Sequence, residues 1–126
     1  MTKVAIIRCE KNQETCPLTG CLKCLTLKKE GFDCYDDCIP AGIFSCRCPG
    51  DNLIKQAKIL KAKGADAIHF CTCMFSKKTA KGWILSDEGF CDHIDDLMEQ
   101  VRQATGLPCV KGTAHLPEGY HPMDAP

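Results

Sequence analysis

Apolar positions along the chain fall into short continuous runs that alternate with longer stretches of three-to-four spacing. Residues 3 to 8, KVAIIR, form a β-branched run without polar interruption, which predicts a strand buried on both faces in a parallel sheet and ending at Cys9. In CPLTGCLKCLTLKKEG, Leu18, Leu22 and Leu25 recur at helical spacing, and Gly31 stands where a helix stop needs a left-handed residue. IPAGIFSC predicts an edge strand, since Pro40 and Gly42 suit a sheet interior poorly. PGDNLIKQAKILKAKG predicts a helix capped by Asp51, with Leu53, Ile54, Ala57 and Leu60 on its apolar face and a stop at Gly64. ADAIHFCTC reads as a third strand. In DEGFCDHIDDLMEQVRQATG, Phe90, Ile94, Leu97 and Val101 share one helix face that closes at Gly106. LPCVKGTA is a last short strand before a Pro-rich tail.

Strands alternating with helices in this way imply βαβ units with right-handed crossovers. The expected fold is α/β: one domain over residues 1–126, a small doubly wound parallel sheet of about four strands with helices on both faces. Residues 74 to 90 have no clear period, yet Phe75, Trp83, Ile84 and Leu85 are too apolar for a free loop. Such a segment covers something or meets a second copy of the chain, so a homodimer is one expectation.

Composition narrows the chemistry. With 126 residues and 44% of them apolar or cysteine, the chain can bury a core without disulfide staples. Sixteen Lys and Arg balance sixteen Asp and Glu, which leaves no basic surface of the kind nucleic acid requires. The first residues, MTKVAIIRC, carry neither a cleavage site nor a membrane span, so a cytoplasmic protein away from membranes is expected. In a reducing compartment, twelve cysteines point to metal binding or thiol chemistry rather than to a disulfide framework. A Ser-His-Asp arrangement, a phosphate-binding loop and a dinucleotide-binding glycine pattern are all missing from the sequence, so hydrolase, nucleotidase and NAD-dependent roles have no support.

An open parallel sheet holds its ligand outside the carboxyl ends of the strands. The thiols sit there: Cys9 after the first strand, Cys46 and Cys48 after the second, Cys71 and Cys73 after the third, with Thr113 and His115 after the last. Residues two apart in extended chain face one side, so each C-x-C pair would present both sulfurs to one mouth. Cys48 also runs into the predicted start of a helix, whose partial positive charge favours thiolate. Cys16, Cys21 and Cys24 have the C-x4-C-x2-C spacing of plant-type ferredoxins. Cys91 and His93 pair at the predicted start of the third helix.

The order IIRC, CPLTGC, CPG, KGADAIHFCTC, CDH, VKGTAH over nearly the whole chain resembles the CGGC domain family of small prokaryotic cysteine-rich proteins. The resemblance implies a metal-binding domain, with Cys9, Cys16, Cys21, Cys48, Cys73, Cys91, His93 and His115 in the family's recurrent places. Its namesake motif is SCRC here: either one glycine is lost and both cysteines are kept as Cys46 and Cys48, the preferred reading, or Ser45 replaces the first cysteine; CDH and GTAH stand for the family's CPH and GTH.

Cys34, Cys38 and Cys109 read as packing residues, His69 as a hydrogen-bonded core histidine and His121 as an exposed tail residue. One structural zinc would use four ligands and leave most sulfurs idle. The surplus favours an iron–sulfur cluster, 4Fe-4S or 2Fe-2S, in electron transfer or redox sensing with a redox partner protein. Zinc, with mixed Cys and His ligation, is the alternative. A third reading is thiol or sulfur transfer through a low-pKa cysteine such as Cys48 or Cys21.

Overall fold

The computed structural model describes residues 1–86 and 89–122. Asp87 and Glu88, which the reading of 74 to 90 included, and the end of the tail lie outside the described residues.

Strands β1 (Thr2–Cys9), β2 (Cys38–Cys46), β3 (Ala67–Phe70) and β6 (Cys109–Lys111) form a four-stranded sheet in the order β2-β1-β3-β6. All three pairings in it are parallel. Helices α1 (Thr19–Leu27), α2 (Leu53–Ala62) and α3 (Ile94–Thr105) supply the crossovers. α2 and α3 pack on each other. The chain steps from β1 to β2 in one direction and from β2 to β3 in the other, so right-handed crossovers place α1 on the opposite face. This is the doubly wound arrangement the alternation predicts.

Why β1 is central follows from its residues. Val4, Ala5, Ile6 and Ile7 are all fully buried, which a strand needs when helices cover both its faces. β2 is an edge, as Pro40 and Gly42 predict: the register with β1 slips between Val4 and Ala5, where Pro40 and Gly42 are the successive partners and Ala41 is skipped. The apolar faces of α2 (Leu53, Ala57, Leu60) and α3 (Ile94, Leu97, Met98, Val101) close one side of the core. Gly50, at φ +102°, brings the turn before α2 against Leu97, where a Cβ would lie 2.7 Å from Cδ2.

Several local expectations are corrected. α1 ends with Lys28 in the left-handed region, while Gly31 sits in a 3-10 turn. Gly31 is glycine because the chain after β6 crosses it: a Cβ there would lie 2.5 Å from the Gly112 carbonyl oxygen. Asp51 does not cap α2; it pairs with Arg47 at 3.2 Å, and the residue before the helix is Asn52. The third strand is short, because Thr72–Met74 winds into a 3-10 turn directly after Cys71. Residues 76 to 85 are not irregular: β4 (Ser76–Thr79) and β5 (Gly82–Leu85) form an antiparallel hairpin, with Lys78 opposite Trp83. α3 begins at Ile94, so Phe90 is off the helix and exposed. Periodicity misses the hairpin because its strands are four residues long and half exposed.

Candidate functional site: two groups of thiols at the carboxyl edge

The strand order reverses between β1 and β3, and the loops leaving those strands open a crevice at their carboxyl ends. Fold geometry puts the thiols there, but it divides them into two groups.

The first group surrounds a cavity of about 240 Å³ whose walls include Asn12, Cys16, Cys21, Cys71, Cys73, Trp83, Thr113 and His115. Cys21 is the third residue of α1, close to the unpaired amides of the helix start. Its Sγ lies 3.9 Å from that of Cys71 and 3.1 Å from Thr113 Oγ1. A hydrogen bond from Cys71 leads the effects that hold the Cys21 thiol down at about 6; the Thr113 hydroxyl, the Ala114 backbone and the Arg8 charge add to it against burial. Cys71 is the protonated partner: bonding to Cys21 and Cys73, then burial, push its thiol well above the usual range. Cys73 is lowered, first by its bond to Cys71. These two sulfurs meet through a 3-10 turn rather than through the shared face of an extended C-x-C segment, which corrects the expectation for this pair.

Polar residues other than the cysteines and histidines complete this wall. Asn12 is buried and donates from Nδ2 to Cys73 Sγ at 2.9 Å. Arg8 donates to Asn12 Oδ1 from Nε at 3.2 Å and from its terminal nitrogen at 3.1 Å. A guanidinium can only donate, so the amide oxygen must face Arg8 and the NH2 must face sulfur. Trp83 of the hairpin stacks on His115, with ring centroids 5.2 Å apart and planes 11° from parallel. This stack forms the cavity's outer rim. A Cβ on Gly20 would lie 3.0 Å from His115 Nε2, so the close approach of the imidazole to α1 depends on that glycine. Of the apolar residues in 74 to 90, Phe75 and Trp83 cover core and cavity, whereas Ile84 and Leu85 remain exposed.

The second group is Cys9, Cys46, Cys48, Cys91 and His93. Burial raises Cys46 to about 12 and also raises Cys9 and Cys91, and neighbouring thiols of the group add to each of these shifts. Cys46 is the last residue of β2, and burial governs its thiol. Cys48 lies beyond the strand in an exposed turn, bonded through its N–H to Glu10 at 3.2 Å, and α2 starts only at Leu53. The helix-start thiol is Cys21 instead. His93 sets Nδ1 2.7 Å from the Asp92 carboxylate and Nε2 3.0 Å from the Pro49 carbonyl. Both partners are acceptors and favour the protonated ring, and the pKa is raised, first by the bond to Asp92.

The remaining thiols lie apart. Cys24 is one turn along α1 from Cys21 and, unlike Cys16 and Cys21, is not among the residues lining the cavity; burial raises its pKa, and Glu30 adds to the rise. Cys38 and Cys109 are packed, bonding to the Leu25 and Leu107 carbonyls, but Cys34 is exposed. His69 is fully buried, as expected, between Gly112 O at 2.8 Å and the Tyr35 hydroxyl at 2.6 Å. His121 is exposed.

Among the described residues, no three of the Cys, His, Asp and Glu side chains converge as a set that could hold a metal ion. No described helix is long and apolar enough to cross a membrane.

The family model for the CGGC domain matches residues 3–114. No curated protein and no solved structure matches the chain.

Proposed function

From the chain's membership of the CGGC domain family, which makes it a cysteine-rich domain of that type, and from the cavity around Cys21, we propose a thiol-exchange function. The carrying observation is the Cys21–Cys71 pair: a thiolate at a helix start, 3.9 Å from a buried protonated thiol, facing an apolar cavity. A low-pKa thiol attacks and a nearby thiol resolves; this is the division of labour that thiol–disulfide exchange needs.

The substrate class is a small disulfide with an apolar body. Cys21 thiolate attacks one substrate sulfur and displaces the other as thiolate, leaving a mixed disulfide. Cys71 gives its proton to that departing thiolate and attacks Cys21 sulfur, which expels the second substrate half and leaves a Cys21–Cys71 disulfide. The substrate gains two electrons, with one proton from Cys71 and one from solvent; the protein loses two electrons. An external dithiol, from a redox partner, reduces the protein again.

The test is the rate at which a small aromatic disulfide is consumed by the native protein and by Cys21→Ser, with metal content measured in both. Loss of the reaction at unchanged metal content supports the proposal. Undiminished consumption by Cys21→Ser overturns it.

Metal binding is the second reading, favoured by one observation. Cys9, Cys46 and Cys91 each have their ionisation opposed by neighbouring thiols of the second group, Cys48 among them for all three, and a cation among the four would relieve that repulsion. Holding zinc or an iron–sulfur cluster there requires movement of the exposed Cys48 turn. Iron and acid-labile sulfide in equal amounts in protein purified without oxygen would support the cluster, and zinc without sulfide the single ion. Absence of bound metal would remove this reading.

A further inference from the structure

Three sulfurs, not two, interact in the first group. Cys71 is bonded to both Cys21 and Cys73. Its single proton serves one neighbour at a time. The two outer sulfurs each have a dedicated donor: the Thr113 hydroxyl, 3.1 Å from Cys21 Sγ, and the Asn12 amide, 2.9 Å from Cys73 Sγ. The Asn12 donor is fixed in orientation, because Arg8 holds the amide oxygen and a second Arg8 contact, at 3.0 Å, holds the Asn12 backbone carbonyl. A buried amide built this firmly toward a sulfur stabilises that sulfur as an anion, since a neutral thiol is a weak acceptor. Cys73 also faces two ways. It lines the cavity that holds Cys21, and it lines an adjoining one of about 190 Å³ bounded by Ser76, Lys78, Trp83 and Phe90.

Resting on the thiol-exchange reading, we propose that Cys73 is a second nucleophile of the site, positioned by Asn12, and that it competes with Cys21 for the sulfur of Cys71. After the Cys21–Cys71 disulfide has formed, Cys73 thiolate attacks Cys71 sulfur. The Cys71–Cys73 bond forms, the Cys21–Cys71 bond breaks, and Cys21 leaves as thiolate; no electron or proton is exchanged with solvent. An external thiolate in the adjoining cavity then attacks Cys73, breaking the Cys71–Cys73 bond and releasing Cys71, which takes up a proton. A second external thiolate attacks the mixed disulfide, frees Cys73 and departs with the first as a disulfide. Two external thiols are thereby oxidised and the three protein sulfurs return to their starting state. Substrate and reductant each have a port, and Cys71 passes the oxidation between them.

One equivalent of the dithiol oxidant diamide, added without oxygen and followed by alkylation and peptide mapping, tests this. Native protein should give both Cys21–Cys71 and Cys71–Cys73 disulfides, and Cys21→Ser should give Cys71–Cys73 alone. Asn12→Leu should raise the share of Cys71–Cys73 about tenfold, because the reduced Cys73 anion loses its charge-assisted donor. Asn12→Asp keeps size and the Arg8 bond but removes the N–H, so it should shift the ratio the same way even if Asn12→Leu fails to fold. Absence of a Cys71–Cys73 bond in Cys21→Ser overturns the proposal and leaves the function reading standing. An unchanged ratio in Asn12→Asp overturns the positioning role. Failure of Cys21 to react with small disulfides strikes the function reading itself, on which this one rests.

Discussion

Thr72 and Thr113 each bond the other's backbone: Thr72 N–H donates to Thr113 Oγ1 at 3.3 Å, and Thr113 N–H donates to Thr72 Oγ1 at 3.0 Å. The pair stitches the loop after β3 to the loop after β6. Because Thr113 Oγ1 already accepts from Thr72, its own proton is free to point at Cys21 Sγ, 3.1 Å away. Thiolate stabilisation at Cys21 is thus a product of loop docking.

Thr113→Val removes that donor while keeping the shape of the side chain. Iodoacetamide alkylation of Cys21, followed against pH, should show its half-maximal rate near 6 in the native protein. In the variant the midpoint should rise to about 7, the equivalent of one hydrogen bond to a charged group. An unmoved midpoint would leave Cys71, the Ala114 backbone and the Arg8 charge as the cause.

His69 makes stability depend on acid. Burial lowers its pKa to about 4, and its ring accepts the Tyr35 proton at Nε2 while donating Nδ1–H to Gly112. The folded state therefore disfavours the charged form that the unfolded chain adopts below about 6.5. The stability involved is fully present above that pH and is lost as pH falls toward 4, by about 3 kcal/mol in all. Urea midpoints at pH 7.5 and 4.5 should differ accordingly, and His69→Phe should flatten the difference.

Gly31→Ala drives a Cβ into backbone, 2.5 Å from Gly112 O and 2.9 Å from Thr113 O. Backbone cannot swing aside as a long side chain does, so a loss of about 2–4 kcal/mol is expected. The same shift would displace Thr113, whose carbonyl accepts from Gly31 N at 2.8 Å. Thermal unfolding measures the first effect, and the Cys21 alkylation profile the second.

Trp83→Ala removes one ring of the stack with His115 at the cavity rim. Modification of Cys21 by a bulky maleimide should then rise about fivefold relative to the small iodoacetamide, since access and not nucleophilicity has changed. An equal rise for both reagents would mean that the thiol itself had been altered.

Much of the site's address was legible and its inner wiring was not. The carboxyl-edge placement of Cys9, Cys46, Cys71 and Cys73 follows from reading strands, and Cys16 and Cys21 belong to motifs that carry the family resemblance. Asn12 belongs to no motif, and Arg8 and Thr72 stand inside IIRC and KGADAIHFCTC without a chemistry of their own to mark them: an asparagine three residues past a strand looks like any loop residue until Cys73 is found opposite its amide. Cys48 and Cys21 were both candidates for the attacking thiol; CPGD precedes a helix, but four residues separate Cys48 from the first helical position, whereas Cys21 lies in the first turn of α1.

Local pattern alone determined the alternation of buried strands and amphipathic helices, the edge position of β2, the crowding of thiols at strand ends and the family. These depend on periodicity and on spacing along the chain, which each segment carries by itself. Which sulfurs face one another was decided only by tertiary structure. Cys21 meets Cys71 across fifty residues, and Thr113 reaches Cys21 across ninety-two. Such contacts depend on the register of β3 against β6 and on the seating of α1. The ionisation of each thiol depends on them in turn, because burial and hydrogen bonding act through space and not along the chain.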